Sequence, residues 1–180
     1  RRRQYLSDSD SSFRIDHDLG WANAASITSW RRSGGTGNQD SDDSGINLGW
    51  AHFNPKQQTS TQEFQLASPA TSTVKMIGGV YLFSDNAAVD PLTQFGTSAA
   101  TRPQTIQYVF SRQNTTSYAG YGQATAPVMA DTNVTIGLRY TYDLRDVHGK
   151  FFNINGALFN ETNQKGAWPK MTYRLALDHN

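Results

Sequence analysis

Ten residues in the last third of the chain, VTIGLRYTYD (Val134 to Asp143), alternate without a break between apolar and polar side chains. A β-strand sends successive side chains to opposite faces. The stretch therefore sorts into one row of Val134, Ile136, Leu138, Tyr140 and Tyr142 and another of Thr135, Gly137, Arg139, Thr141 and Asp143. The first row is apolar and ends in aromatics; the second is small, polar or charged. Two settings produce such a strand: a sheet with one wet face, and a membrane barrel with lipid outside and a polar lumen.

The same period recurs along the chain. SFRIDHDLG (Ser12 to Gly20) sets Phe13, Ile15 and Leu19 on one row, and WANAASITSW (Trp21 to Trp30) follows almost at once. STQEFQLAS (Ser60 to Ser68) opposes Phe64 and Leu66 to Glu63 and Gln65. VKMIGGVYLFSD (Val74 to Asp85) is apolar on both rows, and SYAGYGQATAPVM (Ser117 to Met129) is small and aromatic, so neither declares its facing. PKMTYRLALD (Pro169 to Asp178) repeats the opening pattern, with Met171, Tyr173, Leu175 and Leu177 against Lys170, Thr172, Arg174 and Asp178. No segment carries a convincing helical period, which makes the class all-β.

Connections alternate in length. Short links (the first strand to the second, PATST at Pro69 to Thr73, ADTN at Ala130 to Asn133) take turns with long stretches near 31–59, 86–116 and 144–168, read as loops. Loops longer than about 12–15 residues are uncommon in compact domains, and three on one end need a reason. Outer-membrane barrels supply one, because their short periplasmic turns alternate with longer extracellular loops.

Composition agrees with strands rather than with disorder or nucleic-acid binding. The hydrophobic fraction is 37%, low for a water-soluble core, yet charged residues are only 17% and aromatics reach 12%; disordered chains have more charge and fewer rings. The net charge of +1 gives no general basic footprint, and the one basic cluster, Arg1 to Arg3, reads as a solvated end. Without cysteine there is neither a disulfide framework nor a thiolate metal site. No apolar run approaches the ~20 residues of a membrane helix, whereas a strand span needs only ~9–11 alternating residues.

Taken in order, TQEFQLAS, KMIGGVYLF, SYAGYGQAT and NVTIGLRYTYDLRDVHG resemble the barrel domain of TonB-dependent outer-membrane receptors, and DLGWANAASITSWRRS and MTYRLALD fit its flanking hairpins. The resemblance runs from about Ser12 to Asp178. It implies an antiparallel up-and-down transmembrane β-barrel of about 22 strands, of which residues 1–180 supply seven as an internal piece. It also implies a plug domain and a TonB-engaging segment, which are absent here, as is a final strand ending in an aromatic. The implied role is energy-coupled import of an external small ligand, such as a siderophore or other metal chelate, a vitamin or an oligosaccharide, across a Gram-negative outer membrane. Implied partners are outer-membrane lipid, the receptor's own plug and the TonB complex; no cofactor and no nucleic acid are implied.

On this reading Val134, Ile136, Leu138, Tyr140, Tyr142, Met171, Tyr173, Leu175 and Leu177 face lipid. Tyr140, Tyr142, Tyr173, Trp21 and Trp30 are candidates for the interfacial girdle. Glu63, Arg139, Asp143, Lys170, Arg174 and Asp178 line the lumen, with Arg139 and Asp143 placed to pair with the charges of the last strand. Trp50, Phe53, Phe95, Tyr108, Phe151 and Trp168, with Phe110, Phe152 and Phe159, lie in or beside the long loops, where they either pack the loops together or offer a platform to a ligand.

Catalytic and metal chemistry find little support. DSDDSG (Asp40 to Gly45) opens like a calcium loop, but the twelfth position is Ala51 where a bidentate Glu is required. SGGTG (Ser33 to Gly37) lacks the Lys-Ser/Thr of a phosphate loop and reads as a flexible loop stem. His17, His52, His148 and His179 are scattered without ligand spacing. The sequons at Asn114, Asn133 and Asn160 are chance matches in a bacterial chain. No nucleophile, base and orienting group fall into one motif, so the chain is read as a non-enzyme. Two other architectures share the strand pattern: a passive porin-like barrel and a soluble β-sandwich binding module.

Overall fold

The computed structural model describes residues 4–40, 49–96 and 104–179. The residues of the calcium-like stretch beyond Asp40, and Arg1 to Arg3, lie outside them. Seven antiparallel strands run in sequence order through one sheet: β1 (Gln4–Asp18), β2 (Asn23–Asp40), β3 (Gly49–Ala67), β4 (Lys75–Gly96), β5 (Gln104–Met129), β6 (Thr132–Asn153) and β7 (Leu158–His179). The sheet is up-and-down and does not close, so β1 and β7 each keep one unpaired edge.

Short turns join the strands at one end. At β1–β2 Gly20 takes φ 82°, a conformation open to glycine, and its N–H donates to the Asp18 carboxylate at 2.7 Å. At β5–β6 the turn rests on Asp131 with φ 57°, which Asp tolerates better than most residues. Between β3 and β4, Ser68 exchanges backbone and side-chain bonds with Met76 at 2.8 and 3.0 Å.

The opposite ends correct the expectation of three long loops. β2, β3, β4, β5, β6 and β7 continue far past the expected boundaries as paired ladder, and β6 turns into β7 across only 154–157. Asn153 closes that turn, its side-chain oxygen accepting from the N–H groups of Asn155 and Ala157 at 3.0 and 2.9 Å. The alternation that marks a strand disappears where both faces are wet, but backbone pairing needs no such alternation. SGGTG is accordingly part of β2 and not a flexible stem. A Cβ on Gly35 would meet the Tyr5 carbonyl at 2.4 Å, and one on Gly37 the Phe53 ring at 2.6 Å. These glycines let neighbours lie across the strand.

Burial separates the two faces. Thr135 exposes 4% of its surface and the adjacent Ile136 61%. Where a sheet curves, side chains on the concave face crowd one another while those on the convex face spread. The crowded face here is the polar one, and Tyr121 on β5 reaches past β4 to Glu63 on β3 on that side. A water-soluble protein buries the opposite row.

Candidate functional site: a polar concave wall and an apolar convex band

Register carries the facing from strand to strand, since directly paired residues share a face. The convex row Ser26, Phe64, Val80, Gly120, Tyr140, Met171 continues into the row Ala24, Leu66, Gly78, Gly122, Leu138, Tyr173. Below these, Met76, Ala124, Ile136 and Leu175, then Ala126, Val134 and Leu177, extend the band downward on the later strands only. That descent is the stagger a tilted barrel wall requires. The two uncertain strands are thereby settled: Met76, Val80 and Leu82 are convex and Tyr81 and Phe83 concave, while Tyr118 is convex and Tyr121 concave.

The band ends abruptly at its upper side. Above Trp30 and Leu144 the next convex row is Arg32, Gln58, Asn86, Asn114, Asp146, Lys165. Asn86 donates to Asn114, and Lys165 contacts Asp146 at 3.1 Å. On β6 the apolar row therefore runs from Val134 to Leu144. At ~3.3 Å per residue and a tilt of about 45° it climbs about 25 Å, the height of the apolar band of an outer-membrane barrel. Trp30 and Tyr142 stand near its upper rim, and the exposed Trp21 stands in the β1–β2 turn. Tyr173 sits mid-band between Met171 and Leu175, not at a rim.

The band is not wholly apolar: its top row carries Ser60, Ser84 and Thr116 between Trp30 and Leu144, and below that row stands a polar knot. Thr28 donates to Gln62 at 2.5 Å, and the Gln62 amide donates to Ser26 at 3.1 Å. Polar groups facing hydrocarbon need such internal partners. Nothing in the local alternation signals this knot, because its three members come from two strands.

On the concave face the centre is a cluster from four strands. Glu63 Oε1 accepts from the Tyr121 hydroxyl at 2.5 Å and from Gln65 at 3.0 Å. Tyr121 lies over Gly79, where an added Cβ would come within 2.8 Å of its hydroxyl. Arg139 stands 5.7 Å from the Tyr81 ring centre and 5.8 Å from that of Tyr121, within cation–π range. Above, Asp85 accepts from Thr59 at 2.6 Å and from Gln57 at 2.9 Å and is nearly buried. Beyond the band's upper edge Arg31 donates to Asp8 at 2.5 and 3.1 Å. That hydrogen-bonded guanidinium holds the Asp8 carboxyl below its ordinary value.

All six expected lumen residues, Glu63, Arg139, Asp143, Lys170, Arg174 and Asp178, lie on concave rows. Their expected pairing is corrected. Arg139 faces Thr172, Asp143 faces Trp168, and Lys170, Arg174 and Asp178 face Thr141, Gly137 and Asn133. Among the described residues no ion pair joins β6 to β7 on this face; Arg139 turns the other way, towards β5 and β4. Register is fixed by the turn, and a sequence shows which row a charge occupies but not its opposite number.

The aromatic candidates lie in paired strands rather than in loops. Trp50 stacks on Phe95 at 3.8 Å, Phe151 and Trp168 are concave, and Tyr108 shares the convex face with Phe152. Arg145 stands 5.6 Å over Trp168. They do not converge on one platform. The sequence does not single out Tyr121, Gly79 or Tyr81; the alternation of Ser117 to Met129 holds the signal for Tyr121, but without register its side is open.

A sheet with polar concave and apolar convex faces, an apolar band about 25 Å tall at the usual tilt of barrel strands, and ladder-forming arms has the design of an outer-membrane-type barrel wall. Among solved structures the chain is similar to the ferric yersiniabactin uptake receptor FyuA of Yersinia pestis, with a TM-score of 0.80 and 13% identity over 97% of this chain and 26% of that one. The likeness is one of fold, and the chain spans about a quarter of that receptor's length. No family model matches the chain, and no curated protein matches it in sequence.

Proposed function

We propose that the chain is part of the barrel wall of a TonB-dependent receptor in a Gram-negative outer membrane, serving energy-coupled import of an external ligand such as a ferric siderophore. The observation that carries the proposal is the inversion of polarity, apolar outside and polar inside, carried from strand to strand by the register, together with the fold shared with a siderophore uptake receptor. Charged and aromatic side chains of the concave wall, with Glu63, Tyr121 and Arg139 at its centre, would line the lumen or support a plug; Lys170, Arg174, Asp143 and Asp178 would extend that lining. The role is transport and not catalysis. On this reading the remaining strands and the plug belong to the rest of the receptor.

The test uses the whole receptor in cells. Uptake of a radiolabelled ferric chelate is expected to stop when the proton gradient is collapsed or TonB deleted, while surface binding persists. Uptake that continues without the gradient would make the barrel a passive channel.

A further inference from the structure

Above the band the two faces exchange character. The convex face becomes a basic rim that presents Arg32, Lys56, Arg112, Lys150 and Lys165. On the concave face the register joins Phe53, Leu92, Val109 and Phe151 into one unbroken apolar row across β3, β4, β5 and β6. The next rows down, Pro55, Val89, Ser111, Gly149 and then Gln57, Ala87, Gln113, Val147, carry no charge either. Glycines flatten this wall. A Cβ on Gly37 would meet the Phe53 ring at 2.6 Å, and one on Gly149 the Phe151 ring at 3.4 Å, so both rings lie back along the sheet. Leu6 lies over Gly35 in the same way, 2.9 Å from the position of an added Cβ.

Among the described residues the nearest concave cations are Arg31 and Arg145, each six residues below the apolar row on its strand. That is about 20 Å at ~3.3 Å per residue. Asp8 engages Arg31 at 2.5 Å, and Arg145 stands over the Trp168 ring. The row itself is about 15 Å wide at ~4.8 Å between strands, and it stands beyond the bilayer band, where an apolar surface of this width gains by being covered. It lies on the end opposite the short turns, the external mouth of an outer-membrane barrel, where an incoming ligand arrives. An anionic ligand pressed against it would shed water and meet no counter-ion, which is costly; an apolar ligand surface gains there. We propose that Phe53, Leu92, Val109 and Phe151 receive an uncharged ligand with an apolar coat, so that the receptor takes neutral metal chelates in preference to anionic ones. The proposal rests on the import reading above and adds the charge class of the ligand.

Two ferric complexes separate charge from shape: the neutral tris-benzohydroxamate and its 4-carboxylated counterpart, which has the same coordination core and one negative charge on every ring. Binding of each to the whole receptor in detergent micelles is measured by equilibrium dialysis with radioactive iron, and the uptake by empty micelles is subtracted. The neutral complex is expected to bind about tenfold or more tightly. Val109→Lys, which sets a cation in the middle of the row, should narrow or reverse that preference, whereas the convex Arg112→Gln should leave it as it is. Equal binding of the two complexes by the unaltered receptor, tighter binding of the charged one, or binding of neither would overturn the proposal, and this comparison needs no variant to fold. An unchanged preference in a folded Val109→Lys receptor would overturn it as well, because the neutral complex would then sit elsewhere. Energy-coupled uptake separates the two readings: a receptor whose uptake stops without the gradient but which shows no preference keeps the import reading and loses this one, while uptake that survives without the gradient overturns both.

Discussion

Tyr121 shows how single residues hold this wall. Its ring covers the bare backbone of Gly79 and its hydroxyl reaches the Glu63 carboxylate, so one side chain spans three strands. Hydrogen bonds to charged groups contribute about 1.5–3 kcal/mol, and less where water competes, so Tyr121→Phe should cost about 1 kcal/mol in urea unfolding of the micelle-bound receptor. Gly79→Ala is expected to cost about 1–3 kcal/mol, as overpacking does. Removing Tyr121 as well should recover only part of it, because the Phe64 carbonyl would still stand 2.5 Å from the new methyl. Full recovery in the double variant would show that the tyrosine alone occupies the space. Such a contact is invisible along the chain, since Gly79 and Tyr121 lie in different segments and meet only through the β4–β5 register.

At the scale of the strand, the alternation from Val134 to Asp143 was legible because lipid and lumen impose opposite chemistry on adjacent residues. The same holds for Pro169 to Asp178. Past Leu144 the convex positions become Asp146, His148 and Lys150, both faces are wet, and the pattern stops although the ladder continues to Asn153. From sequence alone the arms therefore look like loops, and the aromatics within them like loop residues. Facing sets the cost of a charge. Leu138→Arg is expected to lose about 2–4 kcal/mol of stability in a bilayer, as arginine does on a lipid-exposed wall, whereas Arg139→Leu should change it by less than about 1 kcal/mol. Equal losses at the two positions, measured by unfolding in the same vesicles, would mean that the faces are not chemically distinct.

For the whole molecule, seven strands with free edges at β1 and β7 are an open wall. Unpaired backbone groups are not tolerated by lipid, so the 180-residue piece expressed alone is expected to lack the heat-modifiable mobility that the whole receptor should show. The alternation made the all-β class and the transmembrane reading legible; the stagger, the polar knot at Gln62 and the basic rim needed the register. The most direct test of the account places spin labels singly at every position from 134 to 150 in the receptor in vesicles and measures collisions with oxygen and with a water-soluble nickel chelate. The account predicts oxygen accessibility at even positions through Leu144, nickel accessibility at the odd positions between them, and a change to nickel accessibility on the even row from Asp146 upward. Nickel accessibility at Ile136, Leu138 and Tyr140 would contradict it.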